Sequence, residues 1–345
     1  MFCVLIAVFF LSLLLTGYIR RYALAKNIMD IPNHRSSHEV PTPRGGGVAF
    51  IVVFLMVLPF LGHQNDLSWP VCIALVGAGL GVAALGFFDD RGHIAAHWRL
   101  MGHFGASIFA LFFLGGLPSI FFGGWVFSSG LLLNVIAVIY LVWLLNLYNF
   151  MDGIDGIAGV EAVSVCLGGA FLYWLNGDAA FMALPLALAA AVAGFLWWNF
   201  PSARIFMGDA GSGFLGLVLG ILSIQAATIH SEFFWCWLIL LGVFIVDSTY
   251  TLLCRLLQGC KVYEAHRSHA YQRAVCYFNG HFGVTLSVLI INVVWLFPLA
   301  VLVAMGVVSG FLGLMIAYLP LIVLVFWLKE AFDLSEPRPL GSGKV

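Results

Sequence analysis

The chain has 345 residues, 62% of them hydrophobic and only 9% charged, with a formal net charge of −1. A soluble domain of this size carries about 25% charged residues, so the composition excludes a water-soluble globular protein. What remains is an integral membrane protein. Long apolar runs rich in Gly and Phe point to spanning helices and not to alternating barrel strands.

In chain order, the apolar runs between polar breaks predict helices near 2–19, 47–62, 70–88, 99–117, 130–148, 158–175, 179–199, 211–229, 233–256, 284–308 and 310–328. Segment 112–135, with its FFGGWVFSSG stretch, reads either as span ends or as a re-entrant or interfacial piece. The expected fold is therefore all-α and polytopic, with about 10–11 transmembrane helices. The first run lacks a basic leader and a small-residue cleavage site, and Arg20-Arg21 follows it, so it reads as a retained helix. The seven Cys stand singly without a CxxC pair and read as small apolar core residues. Assigning alternate loops to one side collects all fifteen Lys and Arg there. The positive-inside rule makes that face cytoplasmic and the N-terminus periplasmic. Residues 1–333 form one transmembrane domain, and the Pro/Gly/Ser-rich stretch 334–345 reads as a disordered cytoplasmic tail.

The polar chemistry gathers on the charged face. Asp89 and Asp90 close an apolar helix. Adjacent carboxylates at a helix C-terminus oppose the macrodipole and repel each other unless a cation lies between them. Magnesium suits such a place, because it takes hard oxygen ligands and shares them with substrate phosphates. In FMGDAGSG, Asp209 stands among small residues that open a new helix, where free N–H groups favour phosphate. The formal GxGxxG match at 211–216 carries no weight, since no strand precedes it. His266 and His269, with Arg267 between them, suit diphosphate oxygens; a polar surface loop is the plain alternative. His93 and His97 also have helical spacing, but without an HExxH or a third ligand zinc is disfavoured. Glu161 and Asp247 lie inside spans, where a carboxylate needs a partner or a function; helix-to-helix hydrogen bonding is an adequate account.

Five loop motifs occur in order on this face: PTPRGGG (41–47), FDDR (88–91), NFMDGIDG (149–156), NFPSARIFMGDAGS (199–212) and HRSHAYQR (266–273). Together they resemble the polyprenyl-phosphate N-acetylhexosamine-1-phosphate transferases, glycosyltransferase family 4. These membrane enzymes move a sugar 1-phosphate from a UDP-sugar to a lipid phosphate and release UMP. The resemblance implies catalytic roles for Asp89 and Asp90 and for His266 and His269. It implies Mg²⁺ (or Mn²⁺) held by Asp209 with Asp90. It also implies a substrate site of Arg44, Asn146, Asn149, Asp152, Asp155, Asn199, Phe206 and Arg267. The implied partners are a UDP-N-acetylhexosamine and undecaprenyl phosphate in the bacterial inner membrane, with a homodimer compatible and no nucleic acid.

The departures are informative. The peptidoglycan-precursor branch carries three consecutive histidines and a PTMGG loop, neither met here. HRSHAYQR with PTPRGGG is most similar to the branch that primes O-antigen lipopolysaccharide with GlcNAc or a 6-deoxy-N-acetylhexosamine. The family's lysine after the acidic pair is missing, and Arg91 or Arg99 stands as its replacement. Two other classes fit less well. An intramembrane aspartyl protease would need Gly-x-Gly-Asp where the chain has Phe206-Met-Gly-Asp. A transporter or flippase would place its coupling residues at mid-membrane, not at one interface.

Overall fold

The computed structural model describes residues 1–32, 40–64, 68–92, 94–122, 125–260 and 267–331. The expected tail at 334–345 and His266 lie outside them. Every expected span is helical: α1 (Phe2–Ala25), α2 (Gly47–Gln64), α3 (Trp69–Gly92), α4 (Ala96–Leu114), α5 (Leu131–Met151), α6 (Ile157–Leu175), α7 (Ala183–Asn199), α8 (Asp209–Ile229), α9 (Ser231–Leu240), α10 (Gly242–Leu257), α12 (His281–Ile291), α13 (Phe297–Ala304) and α14 (Gly310–Ala331). A short α11 (Ala270–Phe278) precedes α12. Among the described residues eight helices are long and apolar enough to cross a membrane, or nine if α9 and α10 form one broken span. This is fewer than the 10–11 expected, because α2 has a shorter apolar stretch and α4 carries His97, Arg99 and His103 in its first half. The chain is a multi-pass membrane protein.

Two features depart from a plain helix bundle. The expected span 233–256 is bent by 71° between α9 and α10, at the junction where Gly242 begins the second helix. Segment 112–135 contains a two-stranded antiparallel ribbon, β3 (Ile120–Phe122) with β4 (Trp125–Phe127). It follows another ribbon, β1 (Met29–Asp30) with β2 (Thr42–Pro43). Alternating aromatic and β-branched residues favour this local pairing over a helix.

Helix α8 is the axis of the bundle, with 89% of its apolar window buried. Its glycines let neighbours approach backbone to backbone: a Cβ at Gly216 would stand 2.6 Å from the Leu144 carbonyl of α5. Small residues do this work in membranes because lipid offers no hydrophobic drive between helices. On the flank, α1 is fastened to α7 by Ser12 Oγ donating to the Ala191 carbonyl (2.6 Å) and Trp198 Nε1 donating to Leu13 (2.9 Å).

Two buried polar residues meet inside the bundle. Glu161 accepts from Asn292 Nδ2 at 2.6 Å, and the same nitrogen lies 2.8 Å from Ser164 Oγ. Asn292 opens a wide helical turn, Asn292–Leu296, just ahead of Pro298. A proline lacks the donor for the i−4 carbonyl, and the backbone widens there.

Candidate active site

The loops carrying the motifs converge at one pole of the bundle. The Pro43–Gly47 strand and turn dock on the segment leading into α8. Phe206 N donates to the Pro43 carbonyl (2.8 Å), and Gly46 N and Gly47 N donate to Phe206 and Met207 carbonyls (both 2.9 Å). The fit demands glycine, since a Cβ at Gly47 would lie 2.6 Å from Gly211 Cα. Gly208 turns the chain into α8 at φ 80°, a conformation costly for residues with a side chain. From the other side α3 meets the same turn: a Cβ at Gly86 would stand 2.4 Å from Ala210 N. Asp90 Oδ1 thereby accepts from Asp209 N at 3.1 Å, so the end of one helix caps the start of another.

Carboxylates outnumber their cations here. Arg44 Nη2 bridges Asp90 (2.6 Å) and Asp209 (2.8 Å). Arg99 Nη1 pairs with Asp89 and stands 4.0 Å from the other oxygen of Asp209. Asp89, only 4% exposed at its side chain, also accepts from Ile94 N at 2.6 Å. Burial opposes the Arg44 charge, but Asp209, Asp90 and Asp30 outweigh it and raise its pKa. Asp152 is pushed well above the usual carboxylate range, first by burial and then by Asp209, with Arg44 opposing.

This surplus of negative charge is what a divalent cation would offset, and the hard carboxylate oxygens of Asp209 and Asp90 are the donors that would hold magnesium. Among the described residues no group of three or more His, Cys, Asp or Glu side chains is drawn close enough to cage a metal. A cation would be completed by water and phosphate oxygens, the usual manner of holding Mg²⁺.

Beside this cluster opens a polar cleft, lined among others by Arg44, Asn149, Asp152, Asp155, Phe206 and Asp209. Asn149 Nδ2 donates to Ser212 Oγ at 2.9 Å, tying the end of α5 to the first turn of α8. Asp155 holds three segments: its carboxylate accepts from Ala203 N (2.9 Å) and pairs with His281 Nδ1 (3.1 Å), and its carbonyl accepts from Thr285 Oγ1 (2.9 Å). Asn199 lines the cleft, yet its amide accepts from Gly156 N and donates to the Ile205 carbonyl (both 3.0 Å). Its side chain therefore shapes the loop.

Other expected site residues stand apart. His269 is 2% exposed, sits between the rings of Phe150 and Tyr271, and is not in the cleft wall. Its Nδ1 lies 3.4 Å from Asp247, whose carboxylate accepts from Ala270 N and Tyr271 N (both 2.9 Å). The intramembrane Asp247 thus adds a cap from α10 to the first two N–H groups of α11, beside the His269–Gln272 capping box. Asp247→Ala should cost about 1–2 kcal/mol, read as a lower unfolding temperature in detergent; an unchanged temperature would remove the cap from the account. Arg267 is exposed and is likewise outside the cleft wall. Asn146 lies one turn deeper in α5 than Asn149, away from the cleft.

Sequence reading missed Asp30, Ser212, Gln272 and His281, which line the cleft. Ser212 sits inside a motif and was legible; His281 comes from a helix start with no motif of its own. The structure also separates Arg91 from Arg99. The Arg91 guanidinium lies over the Phe87 ring at 4.1 Å, whereas Arg99 faces Asp89. Arg91→Ala should leave turnover within about twofold, while Arg99→Ala should cost about 10²-fold, since it strands a buried carboxylate. Equal losses in steady-state rates of the two variants would contradict this division.

Residues 72–227, from α3 to α8, match glycosyl transferase family 4. The chain is 28% identical over 297 residues to a Bacillus subtilis protein described as a probable undecaprenyl-phosphate N-acetylglucosaminyl 1-phosphate transferase, covering 82% of this chain and 78% of the relative. It is 30% identical over 232 residues to the decaprenyl-phosphate N-acetylglucosaminephosphotransferase of Mycolicibacterium smegmatis, covering 61% of this chain and 56% of the relative. The protein of that description from Mycobacterium tuberculosis is 29% identical over 237 residues, 61% of this chain and 57% of its own.

Proposed function

We propose that this multi-pass membrane protein, whose α3-to-α8 region matches glycosyl transferase family 4, transfers N-acetylhexosamine 1-phosphate from a UDP-sugar to a polyprenyl phosphate and releases UMP. One observation carries the reading. The matched region contains the Asp89, Asp90, Arg99 and Asp209 cluster, built at a helix N-terminus beside a polar cleft. The relatives' names point to GlcNAc. The loop HRSHAYQR adds a 6-deoxy-N-acetylhexosamine as a candidate sugar and O-antigen initiation as the pathway step. Undecaprenyl phosphate is the proposed acceptor, and the site pole is proposed to face the cytoplasm of a bacterial inner membrane, where all the Lys and Arg gather.

The chemistry requires a phosphate monoester oxygen to attack the sugar-bearing phosphorus of the UDP-sugar. A new O–P bond forms, the bridging O–P bond to UMP breaks, and UMP carries away the negative charge. Such transfers depend on alignment and on neutralising oxyanions. Arg44 sits at the boundary of cleft and acidic cluster, placed to neutralise diphosphate oxygens. The N-terminus of α8 opens at the same point, its first N–H groups held by Asp90 and by the Gly208 carbonyl. Asn149 and Asp152 wall the cleft on the nucleotide side. Mg²⁺, when bound at Asp209 with Asp90, would supply further neutralisation of the phosphate charges.

The test is direct. Purified protein receives UDP-GlcNAc or a UDP-6-deoxy-N-acetylhexosamine, undecaprenyl phosphate and Mg²⁺, and UMP is measured. Lipid-dependent UMP is expected. Its absence with every UDP-N-acetylhexosamine defeats the reading, and turnover confined to UDP-MurNAc-pentapeptide would move the protein to peptidoglycan synthesis.

A further inference from the structure

The last carbonyls of a helix have no partner within it, and α5 ends on the loop that walls the cleft. Asn149, Asp152, Gly153, Ile154 and Asp155 all line it. The turn between helix and wall is fixed by a side chain from outside the cleft. Tyr271 Oη donates to the Phe150 carbonyl at 3.0 Å, one of those groups that α5 leaves unpaired. The same ring passes against Gly153, where a Cβ would stand 2.0 Å from Oη and 3.1 Å from Cζ. Gly153 lies outside the left-handed backbone region. The Tyr271 hydroxyl, and not the backbone, is therefore what excludes a side chain at this position.

Tyr271 is held at both ends. It is 4% exposed and is not part of the cleft wall. Its backbone N–H donates to Asp247 Oδ2 at 2.9 Å, and Thr251 Oγ1 donates to the other oxygen of that carboxylate at 3.1 Å. Asp247 and Thr251 belong to α10, the half-span that leaves α9 at 71°. The His269 imidazole lies nearly parallel to the rings of Phe150 and Tyr271, at interplanar angles of 27° and 26°. A close-packed stack of this kind leaves the Tyr271 ring little freedom to turn. One residue thus ties a carboxylate inside the bundle to the loop that walls the cleft.

We infer that Tyr271 is a positioning residue of the proposed transferase, its hydroxyl ending α5 at Phe150 and setting Asp152 and Gly153 in place against the nucleotide sugar. The inference rests on the transferase reading above. Tyr271 acts through the loop alone. The Arg99–Asp89 pair joins α4 to α3, outside the segments that this contact connects, so the effect falls on the nucleotide sugar and not on the lipid acceptor.

The experiment uses full-length protein in detergent as wild type, Tyr271→Phe, Gly153→Ala and the double variant. KM is measured for UDP-GlcNAc and for a short-chain polyprenyl phosphate, and hydrogen exchange is followed in the 150–156 segment. Tyr271→Phe keeps the ring stack and should raise the KM for UDP-GlcNAc about tenfold. The KM for the lipid should stay within about twofold, and exchange in the segment should quicken. Gly153→Ala should lose about 10²-fold in kcat/KM, since its methyl meets the hydroxyl. Removing the hydroxyl makes room, so in the double variant the alanine should cost no more than about threefold beyond Tyr271→Phe. An alanine penalty that is the same with and without the hydroxyl overturns the inference. So does Tyr271→Phe with wild-type exchange and UDP-GlcNAc KM, or a loss that falls equally on both substrates. Wild type that releases no UMP with any UDP-N-acetylhexosamine would sink the transferase reading, while the exchange comparison still decides whether Tyr271 holds the loop.

Discussion

Asp209→Asn is expected to lower lipid-dependent UMP release by about 10²–10³-fold, equivalent to about 3–4 kcal/mol of transition-state stabilisation. Asp209 is the common neighbour of Arg44 and Arg99 and begins the first turn of the central helix. Asn keeps the shape and one acceptor oxygen but removes the charge that orients both arginines and would hold a cation. Its side chain is 29% exposed, so the fold should tolerate the change. The check is steady-state UMP release alongside the unfolding temperature in detergent. Turnover near the wild-type value would take Asp209 out of the chemistry.

The second large effect is expected from a methyl group far smaller than any charge. Gly86→Ala would place a Cβ within 2.4–2.5 Å of Ala210 N, Ala210 Cα and the Asp209 carbonyl carbon. All three are backbone atoms and cannot rotate away, so α3 must shift from α8. Overpacking of this kind costs about 1–3 kcal/mol, and a displacement near 1 Å at reacting groups costs about 10²-fold in rate. Asp90, one turn on, would lose its register with Asp209 N. Gly81, in the same helix, has nothing within 4 Å of its Cβ position, so Gly81→Ala should leave both rate and stability near wild type. If the two variants behave alike, close approach of α3 to α8 does not set the site.

Much of this architecture was legible from residues alone where the signal is local. Apolar run length placed most of the long helices within a few residues, because the cost of burying unpaired backbone in lipid admits little else. The acidic pair at 89–90, the FMGD turn and the NFMDGIDG loop were found as charges where hydrophobic helices end. The bend at Leu241 and the ribbon at 120–127 were not, since both depend on what neighbouring helices leave room for. Histidine was the misleading signal. His269 stands out in its motif, yet it is the buried N-cap of α11. His281 stands out nowhere and lines the cleft.

What the sequence by itself determined is the class of solvent the chain lives in, the helices, and the pole at which its polar chemistry collects. These follow from composition and period, properties each segment carries alone. Which charge meets which partner was decided only in the tertiary structure. Asp89 with Arg99, Asp90 with Arg44, and Asp247 with the start of α11 join segments 10 to 46 residues apart in the chain. The meeting of Asp90 with Arg44 is set by the few glycine contacts that fix how closely α2, α3 and α8 approach. No local pattern encodes that distance, because it is a property of two surfaces at once.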